Sequence, residues 1–237
     1  MVCTVQLYEK PKLSKPVLIE GLPGIGLVAN IAALHLIKKL NAKLFGEIHS
    51  SSFRDLATTT NGGKFRFPSN QLYYYKGKND ESDLIILYGN TQALTTFGQY
   101  ELCGRILDIA EEFGCSLIIT LGGLRRGEKV ETPPKIYCAA SDYETLREAL
   151  DLGAGVIEGQ IFGVAGLLVG LSKLRGMKGF CLLAETPGFE PDANAAMEVL
   201  KILCRKLNLK VDLSGLDETV RETRRIFESL GVFTHLS

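Results

Sequence analysis

The glycines of the segment Glu20-Gly21-Leu22-Pro23-Gly24-Ile25-Gly26-Leu27-Val28-Ala29 come closest to forming a ligand site in this sequence. Gly24-x-Gly26-x-x-Ala29 fits the small-residue form of the dinucleotide-binding fingerprint, in which glycines admit a phosphate close to the N-terminus of a helix. Gly21, Gly24 and Gly26 therefore form a candidate ligand loop. In a second interpretation, the glycines only allow a tight turn between a strand and a helix to pack closely.

The elements around this loop favour the second interpretation. Val17-Leu18-Ile19 is an apolar run typical of a buried strand, and the apolar residues within 28–40 recur with a helical period. A dinucleotide site also needs a second strand that ends in an acidic residue, and Glu47 follows at about the right distance. The chain then departs from that pattern, because residues 50–76 show no helical period and contain the turn signal Asn61-Gly62-Gly63.

Polar residues elsewhere give weaker signals for chemistry. His49 stands beside Ser50-Ser51-Ser52, Arg125-Arg126 follows a pair of glycines, and Glu185 and Glu190 flank a Pro-Gly turn. Two carboxylates at this spacing can act as an acid and a base, but a helix cap and a surface charge are their more ordinary roles. The motifs of a nucleophile elbow, a P-loop and a zinc-protease helix do not occur. The sequence therefore indicates no catalytic residues.

The composition argues against several classes of partner. Hydrophobic residues make up 46% of the 237 residues and charged residues 23%, which is ordinary for a soluble globular protein. The 27 basic and 27 acidic residues cancel, so the chain has no electrostatic footprint for nucleic acid or a membrane surface. The uncharged stretch over residues 159–172 is too short to span a bilayer. We expect neither nucleic acid nor a membrane as partner.

The spacing of cysteine and histidine gives no support for a metal site. The six cysteines are scattered without a C-x-x-C pair, and His35, His49 and His235 are far apart in sequence. Several cysteines lie in apolar runs, which is typical of small buried side chains in a reducing compartment. We therefore expect no metal and no cofactor. Because no secretory signal opens the sequence, we also expect a cytoplasmic protein.

Strands and helices alternate along most of the chain. Residues 84–88 and 116–120 are apolar strands on either side of a helical pattern over about 97–113, and this order is typical of parallel strands. Later elements are a strand over 135–140, a helix capped by Ser141 or Asp142, a strand over 179–184, and helices over about 191–207 and 216–230.

We therefore predict a single α/β domain over residues 1–237, with three layers, α/β/α, around a mostly parallel mixed sheet. A β-rich insertion is expected at about 50–76, and a C-terminal helix with a short tail at about 212–237. Gly159-x-x-x-Gly163 and Gly166-x-x-x-Gly170 place small residues one helical turn apart, which lets another backbone approach closely. We expect that packing in the core or beside a contact between subunits.

Four of these segments, in this order, resemble the family of the second proteasome assembly chaperone and its archaeal homologues. They are the loop from Glu20 to Val28, Leu121-Gly122-Gly123-Leu124, the stretch from Gly159 to Leu168, and the stretch from Ala184 to Ala196. The resemblance extends over about residues 20–207. It implies a three-layer α/β/α domain like those of phosphorylases and peptidyl hydrolases, used without known catalysis.

The resemblance also implies a function. Members of this family hold proteasome α subunits while their ring assembles, and they commonly self-associate or pair with a paralogue. We therefore expect a non-catalytic, homo-oligomeric assembly protein whose partners are proteasome α subunits or a paralogous chaperone. The alternative is a phosphorylase- or hydrolase-type enzyme, or a nucleotide-binding protein, that uses the loop from Gly21 to Gly26.

Some family members carry a hydrophobic-tyrosine-any tail that inserts between α subunits, a recognised mode of peptide capture. This chain has His235-Leu236-Ser237 in that place. Leu236 can fill an apolar pocket but brings no phenol hydroxyl, so we expect weak or indirect binding to the α ring. Phe233, His235, Leu236 and Ser237 are the predicted partner-binding residues.

Overall fold

A computed structural model describes residues 3–59, 62–127 and 130–231. The strands are β1 (Cys3–Leu7), β2 (Val17–Gly21), β3 (Lys43–Ser50), β4 (Thr58–Thr59), β5 (Phe65–Arg66), β6 (Asn70–Tyr75), β7 (Leu84–Gly89), β8 (Leu117–Arg125), β9 (Ile136–Ala140), β10 (Gly155–Val156) and β11 (Gly179–Thr186). The helices are α1 (Val28–Leu40), α2 (Thr96–Glu112), α3 (Tyr143–Asp151), α4 (Val164–Leu174), α5 (Ala193–Leu207) and α6 (Leu216–Ser229). A short 3-10 turn, Ile25–Leu27, joins β2 to α1.

Nine of these strands form one mixed sheet in the order β1-β3-β6-β7-β2-β8-β11-β9-β10. The central block of β7, β2, β8 and β11 is parallel. Antiparallel strands extend it on one side through β6, β3 and β1, and on the other side β9 pairs antiparallel with β11. The predicted α/β fold with a mixed sheet is confirmed. β4 and β5 form a separate two-stranded sheet.

Helices cover both faces of the sheet. One apolar layer joins α1, α5 and α6 to the sheet, and the other joins α2 and α4 to the opposite face. Side chains of successive strand residues point to opposite faces, so Ile19 of β2 enters the first layer and Leu18 enters the second. All five residues of β2 are buried, as expected for a central strand with helices on both faces.

Side-chain caps fix where two helices begin. Asp142 caps α3 by accepting a hydrogen bond at Oδ1 from the amide of Thr145 at 2.9 Å, in agreement with the predicted cap. Asp192 caps α5 in the same way, with the amide of Ala195 at 3.0 Å. The predicted start of α5 at Pro191 is therefore two residues too early, because Pro191 precedes the cap.

A buried histidine fixes the C-terminal helix on α1. His35 Nε2 lies 3.0 Å from the carbonyl oxygen of Asp212, and Nδ1 lies 3.1 Å from the hydroxyl of Thr219. Because a carbonyl only accepts, Nε2 carries the proton and Nδ1 accepts from Thr219. Desolvation lowers the pKa of His35, so the neutral ring is the form that holds α6 in place.

The glycines before and within α4 have three different surroundings. The helix begins at Val164 with Gly163 as its N-cap, so the spacing of Gly159 and Gly163 is not helical, contrary to the prediction. A Cβ atom added at Gly166 would collide with the carbonyl oxygen of Ile161. Gly170 is exposed, and no atom lies within 4 Å of an added Cβ. The close approach therefore involves Gly166 and the preceding segment of the same chain.

Replacing Gly166 with alanine should lower the free energy of unfolding by about 1 to 3 kcal/mol, because the added methyl group overpacks against Ile161. The matched replacement of Gly170 should be neutral or should stabilise the protein by up to about 1 kcal/mol through helix propensity. Urea unfolding of both variants checks this difference. Equal effects at the two positions would show that the packing at Gly166 is not tight.

Candidate functional site

The glycines of the candidate ligand loop serve mainly to pack the chain. A Cβ atom added at Gly21 would collide with the side chain of Ala33, so this glycine lets α1 lie directly on β2. Gly26 has a φ of 63°, and an added Cβ would lie 2.8 Å from the hydroxyl of Thr186. Gly24 differs from both, because its backbone is extended and no atom lies within 4 Å of an added Cβ.

The start of α1 is enclosed by protein. The amide of Leu27 donates to the carbonyl oxygen of Gly24 at 3.0 Å, and Val28 and Ala29 are buried. Asn30, also buried, donates from Nδ2 to the carbonyl oxygens at the ends of β2 and β7, with distances of 3.2 and 2.7 Å. A phosphate therefore has no open approach to this helix N-terminus.

The acidic residue of the dinucleotide pattern also lies elsewhere. Glu47 is on β3, which pairs antiparallel with β1 and β6 and is separated from β2 by β6 and β7. A dinucleotide site needs that acid at the end of a parallel strand near the glycine loop. The topology therefore does not bring Glu47 and the loop into one site.

Three of the conspicuous sequence segments meet at the turn around Ile25. A Cβ atom added at Gly123, after the Leu121-Gly122 pair, would collide with the carbonyl of Ile25. A Cβ atom at Gly188 would lie 2.7 Å from the Ile25 side chain. The amide of Asp192 donates to the carbonyl oxygen of Gly26 at 2.9 Å. Because β2, β8 and β11 are parallel neighbours, their following loops meet at one edge of the sheet, here called the carboxyl edge.

Gln92 joins the fourth segment to the same edge. Its Nε2 donates to the carbonyl oxygen of Pro23 at 2.6 Å, and its Oε1 accepts from the amide of Val164 at 3.1 Å. Gln99 donates to the same Oε1 at 3.2 Å. One side chain in the loop after β7 therefore ties the glycine loop to the start of α4. No motif marks Gln92 in the sequence.

Several large apolar side chains are exposed on the loops after β2, β7 and β11, at the start of α2 and just before α4. We call them the carboxyl-edge apolar surface, and their exposed fractions range from 46% to 82%: Ile25, Leu94, Phe97, Phe162 and Phe189. The guanidinium of Arg125 lies 4.5 Å from the centre of the Phe189 ring and adds a cation to this surface. Exposed apolar side chains that share one edge of a fold are candidates for a site of protein interaction.

The charged residues near this edge pair with different partners. Glu185 accepts a hydrogen bond from the hydroxyl of Tyr137 at 3.1 Å and lies 3.7 Å from Arg126. Glu190 forms an ion pair with Arg224 of α6. Glu185 and Glu190 are therefore held in separate contacts and are not arranged as an acid and a base. His49 pairs with Glu47 at 3.3 Å, on the distant strand β3.

Glu20 is a buried carboxyl group at the centre of the sheet, and no sequence motif identified it as unusual. Its side chain is on β2, one Oε accepts from the amide of Leu22 at 2.8 Å, and the other has no hydrogen-bond partner among the described residues. Burial raises the pKa of Glu20 to about 8. With 1% of the residue exposed, this acid is out of reach of a substrate.

Three further expectations from the sequence concern the C-terminal tail, a metal site and a membrane span. Phe233, His235, Leu236 and Ser237, the predicted partner-binding residues, lie outside the described residues. In the described ranges, no three histidine, cysteine, aspartate or glutamate side chains are placed to hold a metal ion. In the same ranges, none of the helices has the length and apolar character needed to cross a membrane.

The fold is that of a three-layer α/β protein. Four glycine-containing segments pack together at its carboxyl edge, where several apolar side chains are exposed. The sequence profile of the PAC2 family matches residues 18–230. Because the match covers most of the chain, this protein belongs to the PAC2 family.

Solved structures and a curated relative are similar to this chain over nearly its full length. Pyrococcus furiosus PbaB, described as an archaeal proteasome activator, has a TM-score of 0.86 and 37% identity, covering 97% of this chain and 99% of PbaB. Pyrococcus furiosus PbaA, described as an archaeal homolog of proteasome-assembly chaperone, has a TM-score of 0.79 and 26% identity, covering 97% and 98%. An uncharacterized protein of Methanocaldococcus jannaschii is 31% identical over 98% of this chain and 89% of its own length. The resemblance inferred from the sequence is confirmed.

The two glycines of the fingerprint should differ in their effect on stability. Replacing Gly26 with alanine should cost about 1 to 3 kcal/mol, because its φ is positive and the methyl group would press on Thr186. Replacing Gly24 should change stability by less than about 1 kcal/mol, since its backbone is extended and space is open. Thermal unfolding of both variants measures this. A stable Gly26→Ala variant would contradict the packing role.

Glu20 should make stability fall as pH rises. Its folded pKa of about 8 exceeds the ordinary value of 4.5, so between these limits the folded state holds more protons than the unfolded state. The free energy of unfolding should therefore drop by roughly 3 to 5 kcal/mol across that window. Glu20→Gln removes the titrating group, and its urea-unfolding curves should lack this drop. Parallel pH profiles for the two proteins would exclude a buried acid of raised pKa.

Proposed function

We propose that this protein is a non-catalytic assembly chaperone-like protein that binds proteasome α subunits or a paralogous chaperone through the carboxyl-edge apolar surface. The exposed side chains of Ile25, Leu94, Phe97, Phe162 and Phe189 carry this inference. They lie at the edge of the sheet where α/β proteins bind their ligands. Because they are apolar and exposed, they favour the surface of another protein as the ligand. The Arg125 guanidinium over Phe189 adds a contact suited to a carboxylate of the partner.

The comparisons support the link to the proteasome. PbaB and PbaA, whose descriptions name proteasome activation and proteasome assembly, resemble this chain over nearly its full length. A family-wide role in handling proteasome subunits accounts for both descriptions. Binding to α subunits and binding to a paralogue are measured separately, which distinguishes direct from indirect action on the proteasome.

The geometry of the glycine loop argues against the alternative of an enzyme or nucleotide-binding protein. Phosphate recognition needs free amide groups at an open helix start. Here Leu27 donates to Gly24, and the first residues of α1 are buried. Glu185 and Glu190 are engaged by Arg126 and Arg224, so neither is placed beside an open reaction site.

Homo-oligomer formation belongs to the same proposal, because exposed apolar side chains at one edge can bind a second copy as well as a different chain. Phe233, His235, Leu236 and Ser237 remain the predicted partner-binding residues of the tail and supply a second contact in this proposal. The expected cytoplasmic location stays a prediction.

A direct binding measurement tests the proposal. Purified proteasome α subunits, and separately a PAC2 paralogue, from the same organism should bind the immobilised protein. The double variant Leu94→Ser/Phe162→Ser should bind at least tenfold more weakly, because truncation of central apolar anchors removes about 1.4 kcal/mol or more of binding free energy.

Leu174→Ser provides the matched control. Leu174 is 81% exposed, like Phe162, but lies at the other end of α4, about 15 Å along the helix from Val164. This variant should bind as tightly as the unmodified protein. The proposal is overturned if neither α subunits nor the paralogue binds, or if the double variant and the control bind equally well.

A further inference from the structure

A cavity of about 580 Å³ lies between the sheet and the C-terminal helix, and none of the five side chains of the carboxyl-edge apolar surface lines it. Its floor is the face of β3, β6 and β7, one wall is the end of α6, and the other wall is formed by β5 and the residues after it. Its volume is in the range of sites that bind small ligands or single side chains, about 300 to 1,000 Å³.

A chain of hydrogen bonds on the floor orients a carboxylate. The hydroxyl of Tyr73 donates to Oε1 of Gln71 at 3.0 Å, and Nε2 of Gln71 donates to Oε1 of Glu47 at 3.1 Å. Burial, and to a smaller extent Glu47, raise the pKa of Tyr73, so this phenol stays protonated at neutral pH and remains a donor. The amide of Gln71 is thereby fixed with its NH₂ group toward Glu47.

The charge of Glu47 is only partly compensated. Its other carboxylate oxygen, Oε2, lies 3.3 Å from Nε2 of His49, and Tyr8 contributes a neutral hydroxyl donor. In the described part of the chain, His49 is the single basic side chain within ion-pair distance of Glu47, and an imidazole is a full cation only when protonated. The Glu47 side chain is 19% exposed, so a ligand can reach it. Water screens its charge less than it screens a charge on the open surface.

Aromatic and aliphatic side chains surround this carboxylate. Phe65 and Phe67 form one wall, with Tyr88 at the floor and Ile226 and Leu230 on the wall from α6. Apolar walls bind a methylene stem, and aromatic faces attract a cation. The cavity therefore combines apolar walls and aromatic faces with the carboxylate of Glu47.

We infer that this cavity binds an ammonium or guanidinium group carried on an aliphatic stem, with the cation at Glu47 and the stem between Phe65, Phe67 and Leu230. Arg66 also lines the cavity and disfavours a ligand with excess positive charge. The same guanidinium suits a carboxylate or carbonyl group at the other end of the ligand. Lysine and arginine have this combination, either as free amino acids or as residues of a polypeptide.

This inference does not depend on the proposed proteasome-linked function, because the cavity is lined by other residues than those of the carboxyl-edge apolar surface. Its test compares three probes by isothermal titration calorimetry at low salt: free L-lysine, Nα-acetyl-L-lysine methylamide and Nα-acetyl-L-norleucine methylamide. The capped lysine and norleucine probes share most of the aliphatic stem and differ in the terminal ammonium group. At least one lysine probe should bind tenfold or more tightly than the norleucine probe. Tighter binding of free L-lysine identifies a free amino acid as the source of the cationic group, and tighter binding of the capped lysine identifies a polypeptide.

Variants locate the binding site. Glu47→Gln should lower lysine-probe affinity at least tenfold, and Phe67→Ala should lower it about threefold or more. Phe67 is 64% exposed, so its truncation carries little risk to folding if the Glu47 variant proves unstable. Glu112→Gln, which removes an exposed carboxylate paired with Lys10 outside the cavity, should leave affinity unchanged. Equal binding of all three probes, absence of lysine binding, or unchanged affinity in the Phe67 and Glu47 variants would overturn the inference.

Discussion

Burial of β2 on both faces is the constraint on which the rest of the structure depends. Leu18 and Ile19 point into opposite apolar layers. The helix α1, which follows the strand after a short turn, packs on the sheet in the layer of Ile19. Gly21 makes this packing possible, because a larger side chain would meet Ala33 of α1. The same burial desolvates Glu20, so the strand places an acid where its neutral form is favoured.

The parallel neighbours of β2 turn separate sequence motifs into one surface. β8 and β11 end at the same edge as β2, and Gly123 near the end of β8 and Gly188 in the loop after β11 both pack on Ile25. Gln92 then connects this group to the start of α4. The exposed apolar side chains of the edge are thus held on loops that brace one another. A preorganised surface loses less conformational entropy when a partner binds.

Local patterns predicted the elements well, because strands and helices depend on periodicity and caps that lie close in sequence. The buried strands near residues 84–88 and 116–120 and the cap at Asp142 are examples. Gln92 could not be predicted, since its role depends on Pro23 and Val164, which are distant in sequence. The two-residue strands are too short to have a period. The tail from Phe233 onward lies outside the described residues.

The glycine fingerprint shows why a motif does not determine a function by itself. In a ligand loop, glycines leave space for a phosphate. Here the space at Gly26 is taken by Thr186 and the start of α1 is covered, while Gly24 alone remains open. Residues of β8 and β11 therefore fill the space beside the glycine loop, and the apolar side chains of the carboxyl edge remain exposed. Open volume with an oriented carboxylate occurs instead beside Glu47, over the strands β3, β6 and β7. The two regions suit different ligands, because one presents apolar area and the other presents an anion within apolar walls.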